Sequence, residues 1–337
     1  MKKFLLKLSY TVLPVFLLLF GLVAYISLYI TPRLAGDLGR LAYIPFGMEY
    51  DLMIEDREMK DTLFPTINST EALKAIHANV LTVGDSFSQQ GTGGYQNYLP
   101  GEGVTVANCN RRLYDNPIQY AYNILDMGIV DSTNIDVMVV EVGERDVEYR
   151  IQNFSTTKVE KPDPPSDESK SNDWSILRAR DFLMYRFGGK SPVYVVDLDM
   201  DFFESDNPRK LYFYNADILN GVSISDPVRT KIKEVYNLLT QMAKNRGIEL
   251  ILLIPVDKYD LYQTHIVNNP YPPKTYNEDI LEIFGETPNI LLCKYCLMPL
   301  IDKGEKDVFL YTNTHWTYKA SEMVGIELSK RVKNFIK

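Results

Sequence analysis

The chain has little of what would mark several large functional classes. It carries 3 cysteines in 337 residues, too few for a disulfide scaffold. It has no clustered basic surface: 36 Lys and Arg stand against 44 Asp and Glu, a formal charge of −8, whereas phosphate contact wants a concentrated positive face. That excludes a typical nucleic-acid binder. Histidine is scarce too, with His77, His265 and His315 the complete set. None has ligand spacing with cysteine or another histidine, which argues against a zinc site. No internal repeat is visible.

Cys293 and Cys296 form a C-x-x-C, but Asn289-Ile290-Leu291-Leu292-Cys293 reads as a strand running into a loop. A thioredoxin-like motif would instead open a helix after its strand. A structural disulfide stays open if this region lies outside the cytoplasm. The 23 tyrosines suit a sugar-facing surface; the plainer reading leaves them half-buried at element edges.

What is present begins with a membrane signal. Lys2, Lys3 and Lys7 precede an uncharged, mostly apolar run from Leu8 to Ile30, long enough for a helix that needs about 20 residues to cross a bilayer. Pro14 falls near its start. No clean small-x-small site precedes Arg33, so a retained anchor is favoured over a cleaved signal peptide. The lysines predict a cytoplasmic N-terminus and a main domain outside the membrane, periplasmic in a Gram-negative bacterium. Residues 1–31 are thus a basic tip and anchor, 32–76 a juxtamembrane segment and 77–337 the main domain.

Within that domain βα units alternate, which predicts an α/β fold with a doubly wound parallel sheet flanked by helices. Strands are expected at 80–83, 103–108, 135–142, 249–254 and 290–293, and helices at 117–128, 173–188, 227–245 and 318–336. The stretch 153–172, rich in Lys, Asp, Ser and Pro, reads as a surface loop. Insertions occupy about 150–222.

The first strand leads into Gly84-Asp85-Ser86-Phe87-Ser88. Glycine permits the tight turn, and the carboxyl end of a parallel strand is where such sheets hold ligands. A serine hydroxyl there needs a base, and His315, in Asn313-Thr314-His315-Trp316-Thr317, is the candidate. The plainer alternative makes Ser86 a turn residue and His315 a packing residue.

These two motifs resemble the SGNH (GDSL-type) hydrolase superfamily and, within it, the membrane-associated O-acetyltransferases related to alginate acetylation proteins. The likeness covers roughly residues 78 to 337, although only the two motifs are specific. It implies an SGNH-like, flavodoxin-like three-layer fold, an acyl-serine intermediate at Ser86 and His315 as base. A polysaccharide hydroxyl would be the acceptor, a multi-pass membrane protein the acyl donor's carrier, and no metal or organic cofactor would be needed.

Three departures from the pattern stand out. Serine precedes histidine here, whereas the alginate proteins have the reverse order. Asn313 stands where the family has aspartate, so it can orient the ring without a charge, unless another carboxylate such as Asp307 reaches it. Gly143-Glu144-Arg145-Asp146 replaces the family's Gly-x-Asn-Asp, putting Arg145 at the oxyanion position. Asn108 is expected to stand for the glycine block, with Gly93 or Gly94 as substitutes. Asp85 and Trp316 complete the oxyanion or substrate-binding candidates.

Two other readings compete. A catalytically degenerate relative would bind carbohydrate or scaffold a polysaccharide modification or export complex. Alternatively, Asp197, Asp199 and Asp201 at a strand exit would hold a divalent cation for phosphatase or transferase chemistry, although alternating acids also mark a half-exposed strand. Asn68-Ser69-Thr70 and Asn153-Phe154-Ser155 match glycosylation acceptors formally.

Overall fold

The computed structural model describes residues 2–30, 36–42, 64–101, 103–157, 176–188 and 191–336. Eight strands lie among them: β1 (Thr66–Ile67), β2 (Val80–Gly84), β3 (Val106–Cys109), β4 (Val137–Glu141), β5 (Val193–Asp197), β6 (Lys210–Tyr214), β7 (Glu249–Ile254) and β8 (Ile290–Leu292). Six form one sheet in the order β1-β3-β2-β4-β7-β8. Every pairing in it is parallel. The chain winds outward in one direction from β2 to β3, then crosses back to β4 and on to β7 and β8. The crevice between β2 and β4 is therefore the switch point of the winding.

The strands are apolar almost throughout because both faces are covered. Successive side chains point to opposite faces. On one face Leu81, Val83, Met138, Val140, Leu250 and Leu252 join a core with the helices Pro117–Asp126 and Asp226–Lys244. On the other, Val80, Val106, Val137, Val139, Ile251 and Leu253 pack with the helices Cys293–Asp302 and Tyr318–Lys333. Asn116 caps the first of these helices by accepting from the N–H groups of Ile118 and Gln119, with Pro117 at its first position.

Some expected boundaries shift for identifiable reasons. The second strand starts at Val106 rather than Gly103, because Gly103 takes a φ of 76° in a tight turn bridged by Gly101 and Val104. The strand at 290 stops at Leu292, and a helix opens on Cys293. The C-x-x-C therefore does follow a strand into a helix. Cys293 is nonetheless fully buried, and burial drives its thiol well above 9 and that of Cys296 to about 12. That is the opposite of an activated thiolate.

The juxtamembrane segment, expected to pack onto the domain, contributes elements to the fold. β1 extends the sheet edge beside β3, and a short helix Asp37–Ala42 docks on the domain. The expected surface loop at 153–172 lies outside the described residues from 158 onward. The inserted region 150–222 supplies the helix Ile176–Arg186 and the antiparallel hairpin β5–β6.

At the N-terminus the helix Lys2–Tyr25 continues through a wider π turn, Ile26–Ile30. Within Lys2–Leu28 an 18-residue window reaches a mean hydropathy of 2.4, and the whole stretch is about 40 Å long. That is long and apolar enough to cross a membrane. Phe4, Phe16, Leu18 and Phe20 on it are exposed, while Val23 and Ile26 pack against Ala179 of the helix Ile176–Arg186.

Candidate functional site

The exit of β2 is held by a buried polar tier. Thr82, Asn108 and Glu141 project from three neighbouring strands and are each at most 2% exposed. Thr82 Oγ1 donates to Asn108 Oδ1 at 2.7 Å, and Asn108 Nδ2 donates to the Ser88 carbonyl at 3.0 Å. Gln96 Nε2 donates to the same carbonyl at 2.9 Å. The Ser88 N–H donates to Glu141 Oε2 at 3.1 Å, and Ser88 Oγ shares a 2.9 Å bond with the Tyr95 hydroxyl. From the other face, Tyr114 OH accepts from the Gly84 N–H and donates to the Gly84 carbonyl.

Ser86 opens the 3₁₀ turn Ser86–Gln89 that this tier supports. It is half-buried, and its hydroxyl makes no hydrogen bond among the described residues. As the first residue of the turn, its N–H has no partner within it.

The histidine loop folds back on itself through a bridge between Phe309 and Trp316 and a 3.0 Å bond from the Leu310 N–H to the His315 carbonyl. Lys258, at the start of the helix that follows β7, clamps the loop from below. Its ammonium donates to the carbonyls of Leu310 (2.7 Å), Tyr311 (2.8 Å) and Asn313 (3.3 Å). The loop is thereby brought against the serine turn. The Phe87 ring lies 4.9 Å from the His315 ring and 4.5 Å from that of Trp316, centroid to centroid. Gln90 Nε2 donates to the Trp316 carbonyl at 3.0 Å.

His315 Nδ1 stands 2.7 Å from Asn313 Oδ1. An amide oxygen only accepts, so the ring proton belongs on Nδ1 and the Nε2 lone pair is left to act as a base. Burial lowers the His315 pKa from its ordinary 6.5; the nearby Asp37 pulls it up, and Arg145 and Arg111 push it down. The ring is therefore neutral near pH 7.

Asp37 was not singled out from the sequence. Its Oδ2 lies 3.7 Å from His315 Nδ1, and its Oδ1 accepts from the Thr314 N–H at 2.8 Å. Asp307, the carboxylate considered for this place, is instead turned to the Glu204 N–H, which donates to it at 3.0 Å.

The remaining candidates are occupied elsewhere. Asp85 is 3% exposed and forked by Arg150, whose Nη2 and Nε lie 2.6 and 3.3 Å from its two oxygens; it ties the turn to the helix Val147–Gln152. Asn108 lies beneath the turn with its amide bonded to Ser88 and Thr82, so it supports the serine and does not face a ligand. Arg145 pairs with Asp217 at 2.8 Å and Asp257 at 3.2 Å, in a buried network with Glu144 and Lys274. It is a structural cation whose field reaches His315. Trp316 is fully buried and so is a core residue, not a substrate contact.

Arg111, its side chain half-exposed, lies 3.9 Å from Asp85. The rival acidic run is engaged within the protein: Asp197 pairs with Lys210 and Asp201 with Arg209, and Asp199 Oδ1 stands 3.0 Å from His265 Nδ1. Among the described residues no group of three or more His, Cys, Asp or Glu could hold a metal ion.

Glu141 had a legible signal, a lone carboxylate ending the apolar strand Val137–Glu141. Asp37, Lys258 and Arg111 had none, since each acts through a contact that only the tertiary fold creates. No family model matches the chain, and no curated protein or solved structure matches it.

Proposed function

We propose that the chain is a membrane-anchored serine acyltransferase or esterase of SGNH-like build, acting on O-acyl groups of a cell-surface polysaccharide through an acyl-serine. One observation carries the reading. The Gly-Asp-Ser turn and the histidine loop, far apart in sequence, meet through the Phe87–His315 contact at the carboxyl end of the switch-point strand. Leaving aside the short edge strand β1, the sheet order also corresponds to the flavodoxin-like arrangement.

In this reading Ser86 Oγ attacks the acyl carbonyl carbon while His315 Nε2 takes the hydroxyl proton. The carbonyl oxygen becomes an oxyanion facing the Ser86 N–H. Collapse expels the donor's alkoxide, which receives the proton from His315. A sugar hydroxyl, or water in the esterase case, then gives its proton to Nε2 and attacks the acyl-serine, and collapse breaks the bond to Ser86 Oγ, which takes the proton back from His315. Asn313 holds the tautomer throughout. The N-terminal helix keeps the domain at the membrane, with Lys2, Lys3 and Lys7 on the cytoplasmic side, the domain outside and a multi-pass acyl-donor protein as partner.

A second reading, the non-catalytic carbohydrate-binding or scaffolding subunit, is favoured by the engagement of Asn108 and Arg145, which leaves few donors for an oxyanion. The full chain in detergent, treated with a serine-directed phosphonate and a chromogenic acetyl ester, separates the two. Labelling and turnover lost in Ser86→Ala support the enzyme; absence of both in the unaltered protein supports the scaffold.

A further inference from the structure

We propose that Asp37, on the short helix that follows the membrane-crossing helix, is the charged partner of His315, and that the site is complete only with this anchor-proximal segment docked on the histidine loop. The inference rests on the reading of Ser86 and His315 as nucleophile and base, and it names a positioning residue outside both motifs.

Docking is specific at every contact. The Leu38 N–H donates to the Thr312 carbonyl at 3.0 Å, and Thr314 donates to Asp37 through both its N–H and its hydroxyl. Gly36 passes so close to the Thr312 carbonyl that a Cβ would overlap it, so only glycine allows this approach. Leu38 and Ala42 are buried with Val193, and Tyr212 and Tyr214 pack on them. The inserted hairpin β5–β6 is thus the bed on which the segment lies. Among the described residues no Lys or Arg pairs with Asp37.

The chemistry needs that charge. When Nε2 accepts the Ser86 proton, the ring becomes a cation, and Asn313 can only accept its Nδ1–H without offsetting the charge. The two other charged groups whose fields reach the ring, Arg145 and Arg111, both oppose it. Asp37, 3.7 Å away, is the group that favours it. When the proton passes on to the leaving group, the ring returns to neutral and the pairing relaxes.

The test uses the full chain in detergent with Asp37→Asn, Asn313→Asp and the double variant. With only three histidines in the chain, His315 can be followed by NMR titration, and His77→Gln and His265→Gln assign the other two signals. Asp37→Asn removes an upward influence, so the His315 midpoint moves to lower pH, and the acid limb of kcat/KM moves with it. Ester turnover at pH 7 falls about 10- to 100-fold, less than the ~10⁴ known for an equivalent swap in a serine protease because Asn313 still holds the tautomer. Adding Asn313→Asp to Asp37→Asn restores turnover to within about fivefold, which a merely structural role for Asp37 would not allow. A titration midpoint that does not move, or a rate within threefold of the unaltered protein, overturns the proposal. If the unaltered protein has no turnover, the enzyme reading fails, while the titration alone still decides whether Asp37 and His315 are paired.

Discussion

Gly84 and Glu141 face each other across adjacent strands so closely that a Cβ on the glycine would lie 2.5 Å from the glutamate Oε2. That oxygen cannot retreat without giving up the Ser88 N–H it accepts. Overpacking of this kind costs about 1–3 kcal/mol. Gly84→Ala is therefore expected to lower the melting temperature by several degrees and to abolish phosphonate labelling, because the displaced turn carries Ser86. A variant that melts and labels like the parent would show that the turn is not held in this way.

Ser86→Ala should separate chemistry from folding. The hydroxyl is half-buried and unbonded among the described residues, so its removal is expected to change stability by no more than about 0.5 kcal/mol. Labelling and ester turnover should vanish together. Residual turnover near the parent rate in denaturant-matched, folded protein would remove Ser86 from the mechanism.

Glu141 predicts a pH dependence of stability. Burial, with the Asp85 charge beside it, pushes its carboxyl from 4.5 up to about 8. Between those values the unfolded chain has released the proton and the folded chain retains it, so stability falls as pH rises. The contribution is complete below about 4.5 and lost on passing 8. Glu141→Gln keeps the neutral shape, so relative to the parent it should gain on the order of 3 kcal/mol between pH 5 and pH 8. Asp217, raised to about 7 mainly by its own burial, acts in the same direction and leaves part of the slope in place. Chemical denaturation at a series of pH values reads this, and parallel curves for the two proteins would contradict it.

Lys258→Met should loosen the histidine loop. It strips three carbonyls of their shared donor, and an unsatisfied buried acceptor costs about 1–3 kcal/mol. The expected result is a clear loss of stability together with faster amide exchange in residues 310–316. Exchange confined to the helix Lys258–Tyr262, with the loop unchanged, would assign the lysine a local role only.

Much of the scaffold was legible because its signals are local. β2, β4 and β7 are short, mostly apolar runs, such as residues 250–254, as burial on both faces demands, and Asn116-Pro117 announces its helix. The helix opening at Cys293 was hidden because Pro299 lies inside it, a residue that normally argues against a helix. Ser86 and His315 were readable as motif residues in glycine- and threonine-marked turns. Their environment was not. Arg145 and Trp316 carry side chains suited to substrate contact, yet one is consumed by Asp217 and Asp257 and the other is fully enclosed. Asp37 lies at the opposite end of the chain from the loop it supports, and no periodicity links the two.

The contact between Asp37 and the histidine loop also sets a leash. Fully extended, the chain from Leu28 to Asp37 reaches at most about 30 Å, so the imidazole works within that height of the bilayer surface if Lys2–Leu28 spans it. On the proposed function, reaction would then be confined to a thin shell over the lipid: a long glycan would be modified near its root or as it emerges, and distant segments would have to bend back to be reached.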